Sequence, residues 1–164
     1  MITAFEPIID KNCKVLILGS MPSVKSLEKQ QYYGNKRNQF WKIIYELFNE
    51  EAEEEYENKK MFLLKHHIGV WDVLKNCDRE GSSDSKIINP VCNDFKTFLK
   101  QYPNIKAVFF NGGKAEELFR KVVMEEIPNR EELLFHRLPS TSPANTTPFK
   151  DKLEEWKIIL QQLG

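Results

Sequence analysis

Lys14–Leu18 reads KVLIL and closes on Gly19, so four large aliphatic residues follow one another with no polar residue between them. A short apolar run without alternation belongs to a strand buried on both faces, the pattern of a parallel sheet covered by helices on each side. Ala107–Phe110 (AVFF) is a second run of this kind. It leads through Asn111-Gly112-Gly113 into KAEELFRKVVM, which predicts a strand, a turn and a helix with Leu118, Val122 and Val123 on one face. Leu133–Leu138 (LLFHRL) suits a further strand. From Asn38, the stretch NQFWKIIYELF spaces Phe40, Trp41, Ile44, Leu47 and Phe48 as one face of an amphipathic helix, and the last helix turns Phe149, Leu153, Trp156, Leu160 and Leu163 inward. Strands alternating with helices predict an α/β fold with a parallel sheet. In such sheets ligands bind beyond the carboxyl ends of the strands, which points to three loops: 19–37, 111–114 and 139–148.

The chain has 164 residues, of which 41% are hydrophobic. That is the size and apolar content of one ordinary domain, predicted to span residues 1–164 and able to bury roughly 70% of its unfolded surface. No apolar run approaches the length of a membrane span and Met1–Asp10 lacks the features of a leader, so a soluble cytoplasmic protein is expected. Cys13, Cys77 and Cys92 are too few and scattered for a disulfide framework or a four-thiolate metal site, and read as reduced packing residues. The 24 basic and 24 acidic residues balance, but six of the acidic ones lie between Glu50 and Glu57 (EEAEEEYE), a solvated edge. Elsewhere 24 basic residues face 18 acidic ones, which leaves room for a local basic face including Lys25, Lys36 and Arg37.

GSMPS, at 19–23, lacks both the GK[ST] ending of a phosphate loop and the GxSxG pattern of a nucleophile elbow. Its small residues permit close approach to a ligand or a plain turn. Tyr32, Tyr33, Phe40 and Trp41 flank the polar segment Gly34-Asn35-Lys36-Arg37-Asn38, an interleaving of aromatic rings, cations and amides that suits nucleotide handling. Phe40 and Trp41 fall on the helix face and belong to the core, whereas Tyr32 and Tyr33 precede the helix and are the candidates for a pocket wall. His66 and His67 are adjacent, so their rings diverge on a helix and hold no metal; His136 suits a satisfied strand histidine. PSTSPAN (139–145) has three hydroxyls, two prolines and an amide, and makes either a turn or a shaped loop that holds phosphate oxygens and offers a wedge to a base stack.

The three loops in this order resemble the uracil-DNA glycosylase superfamily, most closely its hypoxanthine-DNA (deoxyinosine) glycosylase branch. The matching segments are VLILGSMPSVKSLEKQQYYGNKRNQFW (15–41), GVWDVLKNCDREGSSDSKI (69–87), FFNGGKA (109–115), LPSTSPAN (138–145) and the closing KLEEWKIIL helix. The resemblance implies a three-layer α/β/α domain with a short, mainly parallel central sheet, acting on damaged DNA to remove a base without metal or cofactor. GSMPS corresponds to the first catalytic motif, where many members place the residue that guides the attacking water. Ser20 and Met21 offer no carboxylate or amide there; the branch looks similar in this lack and relies on an asparagine after the tyrosines, which matches Asn38. LPSTSPAN corresponds to the second motif, with Ser140 where better-known members carry histidine or asparagine. Where the branch usually has His-Pro, this chain has Asn35-Lys36.

A base inside a duplex has to be extruded before its glycosidic bond can be attacked. On this reading the catalytic positions are Asn38, which orients water, and Ser20, a bystander in the chemistry at the first-motif position. The base-binding set is Tyr33, which stacks on the everted base, Asn111, which presents its amide to the Watson–Crick edge, and Met21. Ser23, Ser140, Thr141 and Ser142 hold phosphates, Pro143 and Ala144 push into the vacated stack, and Asn145, Lys36 and Arg37 complete the DNA contacts. Hypoxanthine is the expected substrate, with uracil a second, and a monomer is expected. Two other readings use the same residues: a nucleic-acid or nucleotide-binding module without chemistry, and a generic hydrolase, disfavoured because no Ser, His and Asp set has recognisable spacing. For Asn38 the competing role is that of a helix cap.

Overall fold

The computed structural model describes residues 1–164, and its central feature is a sheet of four parallel strands in the order β3-β2-β6-β7. β2 (Val15–Gly19) and β6 (Ala107–Asn111) are the two apolar runs, β7 is Leu134–Leu138, and β3 (Ile68–Asp72) occupies the edge beside β2. Alternate residues of β2 enter opposite cores, which is why the run has no polar position. Val15 and Ile17 pack with Phe40, Ile44, Phe62, Leu63, Trp156 and Ile159 from α2 (Phe40–Leu47), α3 (Tyr56–Lys65), α6 (Phe149–Trp156) and α7 (Ile158–Leu163). Leu16 and Leu18 pack with Phe95, Phe98, Ala115 and Leu118 from α4 (Phe95–Gln101) and α5 (Gly113–Leu118). Each of the buried valine, leucine, isoleucine and phenylalanine side chains contributes roughly 1.5–3 kcal/mol relative to exposure. The result is the three-layer α/β/α arrangement. No helix is long and apolar enough to cross a membrane.

A second sheet was not legible in the sequence: β1 (Ile2–Thr3), β4 (Leu74–Asp78) and β5 (Ile88–Cys92) pair antiparallel in the order β1-β4-β5. β3 carries no clear strand signal either, because Gly69 and Trp71 interrupt what would otherwise be a plain aliphatic run. Three expectations need correction. The helix after β6 does not continue as one α-helix: beyond Leu118 it widens into a π turn over Phe119–Val123, and the extra residue in that turn rotates Val122 outward, to 48% exposure, while Phe119 takes the buried place. The last helix breaks at Lys157 and adds Ile159 to the buried core, while Phe149, Leu153, Leu160 and Leu163 face inward as expected and pack against it half-buried. His66 and His67 close α3 rather than continue it; His67 has φ of 64° and the His66 ring stacks on Phe48 with centroids 3.7 Å apart. The three cysteines are free, Cys13 and Cys77 in packed positions.

Candidate functional site

The carboxyl ends of β2, β3 and β6 open into a cavity of about 610 Å³, walled by segments 19–23, 82–85 and 140–145 together with Tyr33, Asn38, Asp72 and Asn111. Its volume lies in the range of small-molecule binding pockets. Every predicted site residue except Lys36 and Arg37 lines it; those two are exposed on the loop that carries Asn38.

Segment 32–38 is held in shape before α2 begins. Tyr33 adopts φ of 53°, a left-handed conformation costly for an aromatic residue, and is secured by stacking on Phe40 at 4.0 Å and by Gly34 N donating to Ser26 Oγ at 2.9 Å. One face of the Tyr33 ring is therefore taken by the protein. Tyr32, expected in the pocket wall, borders the cavity but is chiefly a core residue: its hydroxyl donates to the Glu6 carbonyl at 2.8 Å. Asn38 Oδ1 accepts from Phe40 N at 2.9 Å, which fixes its carboxamide plane at the cavity wall and leaves the amide N–H groups unused by the protein.

The 139–148 loop is stitched to its neighbours by a set of hydrogen bonds, among them Trp156 Nε1 donating to the Pro139 carbonyl at 2.9 Å. Asn111 Nδ2 donates to Thr141 Oγ1 at 2.9 Å while its Oδ1 accepts from Thr141 N at 3.0 Å, so the amide keeps one N–H and one lone pair for a ligand. Gln39 N donates to the Thr141 carbonyl at 3.0 Å. Lys152, only 1% exposed, donates from Nζ to Gln39 Oε1 at 2.9 Å and to the Asn145 carbonyl at 2.8 Å; burial pulls its pKa down. Thr141, expected to touch a phosphate, has no exposed surface and spends its hydroxyl on Asn111, so it shapes the loop instead of reaching DNA. The Asn145 amide is likewise spent within the loop, on the Ser140 carbonyl and Thr147. Ser140 and Ser142 hydroxyls accept from the backbone two residues on, and Ala144 is exposed at the tip. Ser23, expected to hold a phosphate, instead caps α1 (Val24–Lys29): its hydroxyl accepts from Ser26 N and donates to Ser26 Oγ, both at 3.2 Å, so it is spent within that turn. At the turn after β6, Gly112 has φ of 94° and its missing side chain leaves room for Ser140.

Two carboxyl groups in the cavity were not singled out by the sequence. Asp84 comes from segment 82–85, which is docked on the first loop by Ser82 Oγ accepting from Val24 N at 2.9 Å and by Arg79 donating to the Pro22 carbonyl at 2.6 Å. Ser20 Oγ donates to Asp84 Oδ1 at 2.6 Å, so the serine at the first-motif position carries a carboxylate brought from 64 residues away. Asp72, the last residue of β3, is 3% exposed and pairs in register with Gly19. A side chain at Gly19 would place its Cβ 2.6 Å from Asp72 Oδ1 and 3.0 Å from Tyr33 Oη, so glycine is what lets the carboxyl and the phenol occupy this corner. Burial, and then the Asp84 charge, push the Asp72 carboxyl up to about 7, against the opposing pull of Arg79. Burial also drives the Tyr33 hydroxyl upward, reinforced by Asp72 and only partly countered by the Asn111 amide. An aspartate closing an apolar strand was the available sequence signal for Asp72; nothing local marked Asp84.

Residues 6–164 match the family model of the uracil DNA glycosylase superfamily. The chain is 39% identical over 161 residues to a protein of Methanosarcina acetivorans named hypoxanthine DNA glycosylase, with 96% of each chain covered. It is 35% identical over 153 residues to a protein of the same name from Methanosarcina barkeri, with 93% of each covered. Among solved structures, the solution NMR structure of a Methanosarcina acetivorans protein, provisionally described as a uracil DNA glycosylase, superimposes with a TM-score of 0.84 at 37% identity, covering 98% of this chain and 97% of that one.

Proposed function

The chain belongs to the uracil DNA glycosylase superfamily, and we propose that within it this protein is a hypoxanthine DNA glycosylase, which everts a deaminated nucleotide and hydrolyses its N-glycosidic bond. The observation that carries this reading is the cavity itself: a polar chamber at the strand ends, with Asn38, Asn111 and two carboxyl groups facing a space that fits a purine nucleoside. Eversion costs a few kcal/mol, least for a mispaired base. Pro143 and Ala144 fill the vacated stack, and Ser140 and Ser142 hold flanking phosphates. Cleavage develops positive charge on the sugar and negative charge on the departing base, so the site needs an oriented water and a donor for the base more than a strong nucleophile. Asn38 supplies the first: its carboxamide, immobilised through Phe40 N, aligns water on the anomeric carbon. Uracil shares the adjacent C=O and N–H of hypoxanthine and is the second substrate of this reading. The protein acts in this reading as a cytoplasmic monomer without metal.

Duplexes containing a single hypoxanthine, uracil, xanthine or T·G mismatch, incubated with the protein and then treated with alkali, test it. Strand breakage at hypoxanthine, undiminished by a chelator, is expected; binding without breakage on every substrate identifies a binding module instead. Association is expected to depend on Lys36 and Arg37, exposed beside the cavity, more than on net charge, which is zero. Because few phosphates are engaged, the salt dependence is shallow, and reversing both charges should weaken duplex binding roughly tenfold or more in a filter or anisotropy assay. Unchanged binding would remove the basic face from the account.

A further inference from the structure

Asp72 takes no part in the mechanism above, yet it lines the cavity as a buried carboxyl. Its Oδ2 is buried with no hydrogen-bond partner, and beside it lies the buried Tyr33 hydroxyl, on which the Asn111 amide acts. A buried carboxyl normally has a partner, because leaving such a group unsatisfied costs several times the value of an ordinary hydrogen bond. An unsatisfied carboxyl oxygen beside a phenol, in two residues that line one cavity and are both given room by Gly19, indicates a ligand that completes the carboxyl.

We propose that Asp72 holds and discharges the base: its carboxyl O–H donates a hydrogen bond to the base oxygen on which negative charge collects as the glycosidic bond breaks, with Tyr33 Oη beside it. This rests on the proposed glycosylase function and adds a catalytic residue to it. Hypoxanthine presents a C=O next to an N–H, and a neutral carboxyl presents an O–H next to a C=O, so the two meet edge to edge through two hydrogen bonds. As the bond to the sugar breaks, its electron pair leaves with the base. Water forms the new carbon–oxygen bond and gives up one proton, which the base takes up, so Asp72 remains protonated through turnover. The donated hydrogen bond strengthens as charge builds on the base, which is the condition for accelerating the reaction. An ionised Asp72 would lack the donor and repel the same charge.

The surroundings favour the neutral form. Burial is the main cause, and the charge of Asp84, from segment 82–85, adds to it; Arg79, beyond β4, is the one cation acting on it and draws the other way, while Tyr32 and Tyr33 from the loop before α2 and Tyr56 from α3 face it as uncharged phenols. The carboxyl accordingly titrates at about 7.

The test is single-turnover release of hypoxanthine from a duplex between about pH 5 and about pH 9 for wild type, Asp72→Asn and Asp72→Ala, with thermal melting of each. The wild-type rate should fall about tenfold per pH unit above about 7. Asp72→Asn keeps an N–H donor that does not titrate, so its rate should stay within about tenfold of the wild-type plateau and lose the alkaline fall, a comparison that also removes any titration of the base itself. Asp72→Ala should be slower by about 10²–10³ at every pH. An Asp72→Asn profile that retains the wild-type fall, or Asp72→Ala cleaving within a few-fold of wild type, overturns the assignment; if Asp72→Ala does not fold, the Asp72→Asn profile decides. Wild-type protein that releases no hypoxanthine at any pH overturns the glycosylase reading itself, a result distinct from an active enzyme indifferent to Asp72.

Discussion

Replacing Asn38 by alanine is expected to slow single-turnover release of hypoxanthine by about 10²–10³, the usual consequence of losing one preorganised hydrogen bond in the transition state. The same substitution should cost only about 1 kcal/mol of stability, which for a chain of this length lowers the melting temperature by about 3 °C. Both effects come from one side chain. Asn38 Oδ1 accepts from Phe40 N, the contact of a helix-starting turn, while the rest of the amide faces the cavity. If the turn were its whole role, melting would fall and cleavage would stay within a few-fold of wild type. Asn35 is the local comparison: its Oδ1 accepts from Arg37 N at 2.9 Å in a similar turn, so Asn35→Ala should share the small stability cost without the large loss of rate. Ser20→Ala leaves the reacting atoms untouched and releases Asp84, and its effect on rate should be well below that of Asn38→Ala.

Asp72→Asn should make the protein more stable than wild type at alkaline pH, and progressively less different from it as pH falls. In the folded state the carboxyl titrates at about 7, against 3.8 for the ordinary value. Between those two pH values the folded protein holds a proton that the unfolded chain has released, so stability falls as pH rises through that window and is level outside it. About three pH units at about 1.4 kcal/mol each set a ceiling near 4 kcal/mol, and the gap between variant and wild type should open by a few kcal/mol. Denaturant titrations of both proteins at about pH 4 and about pH 8 measure it. A constant gap across the window would mean that Asp72 does not titrate within it. The expected result ties the two properties together: an unpaired carboxyl kept for a ligand is a liability to the empty fold.

Local chemistry sufficed for much of this molecule. β2 and β6 were readable because a strand covered on both faces has no place for a polar residue, and α2 because one face of a helix repeats every three or four residues. A parallel sheet places its ligands at the strand ends, and there Ser20, Tyr33, Asn38, Asn111 and the 140–145 loop all border one cavity. The tertiary structure alone decided what these residues do to one another. Thr141 belongs to the core because Asn111 reaches across to it, and Lys152 is buried because Gln39 and the Asn145 carbonyl converge on its ammonium. Asp84 meets Ser20 across 64 residues of chain. Asp72 is an unremarkable aspartate in IGVWD until Gly19, Tyr33 and Asp84, distant in sequence, close around it. Periodicity reports which way a side chain faces, but the charge state of an acid depends on the water and partners that packing removes, and those are set by residues that meet only when the chain is folded.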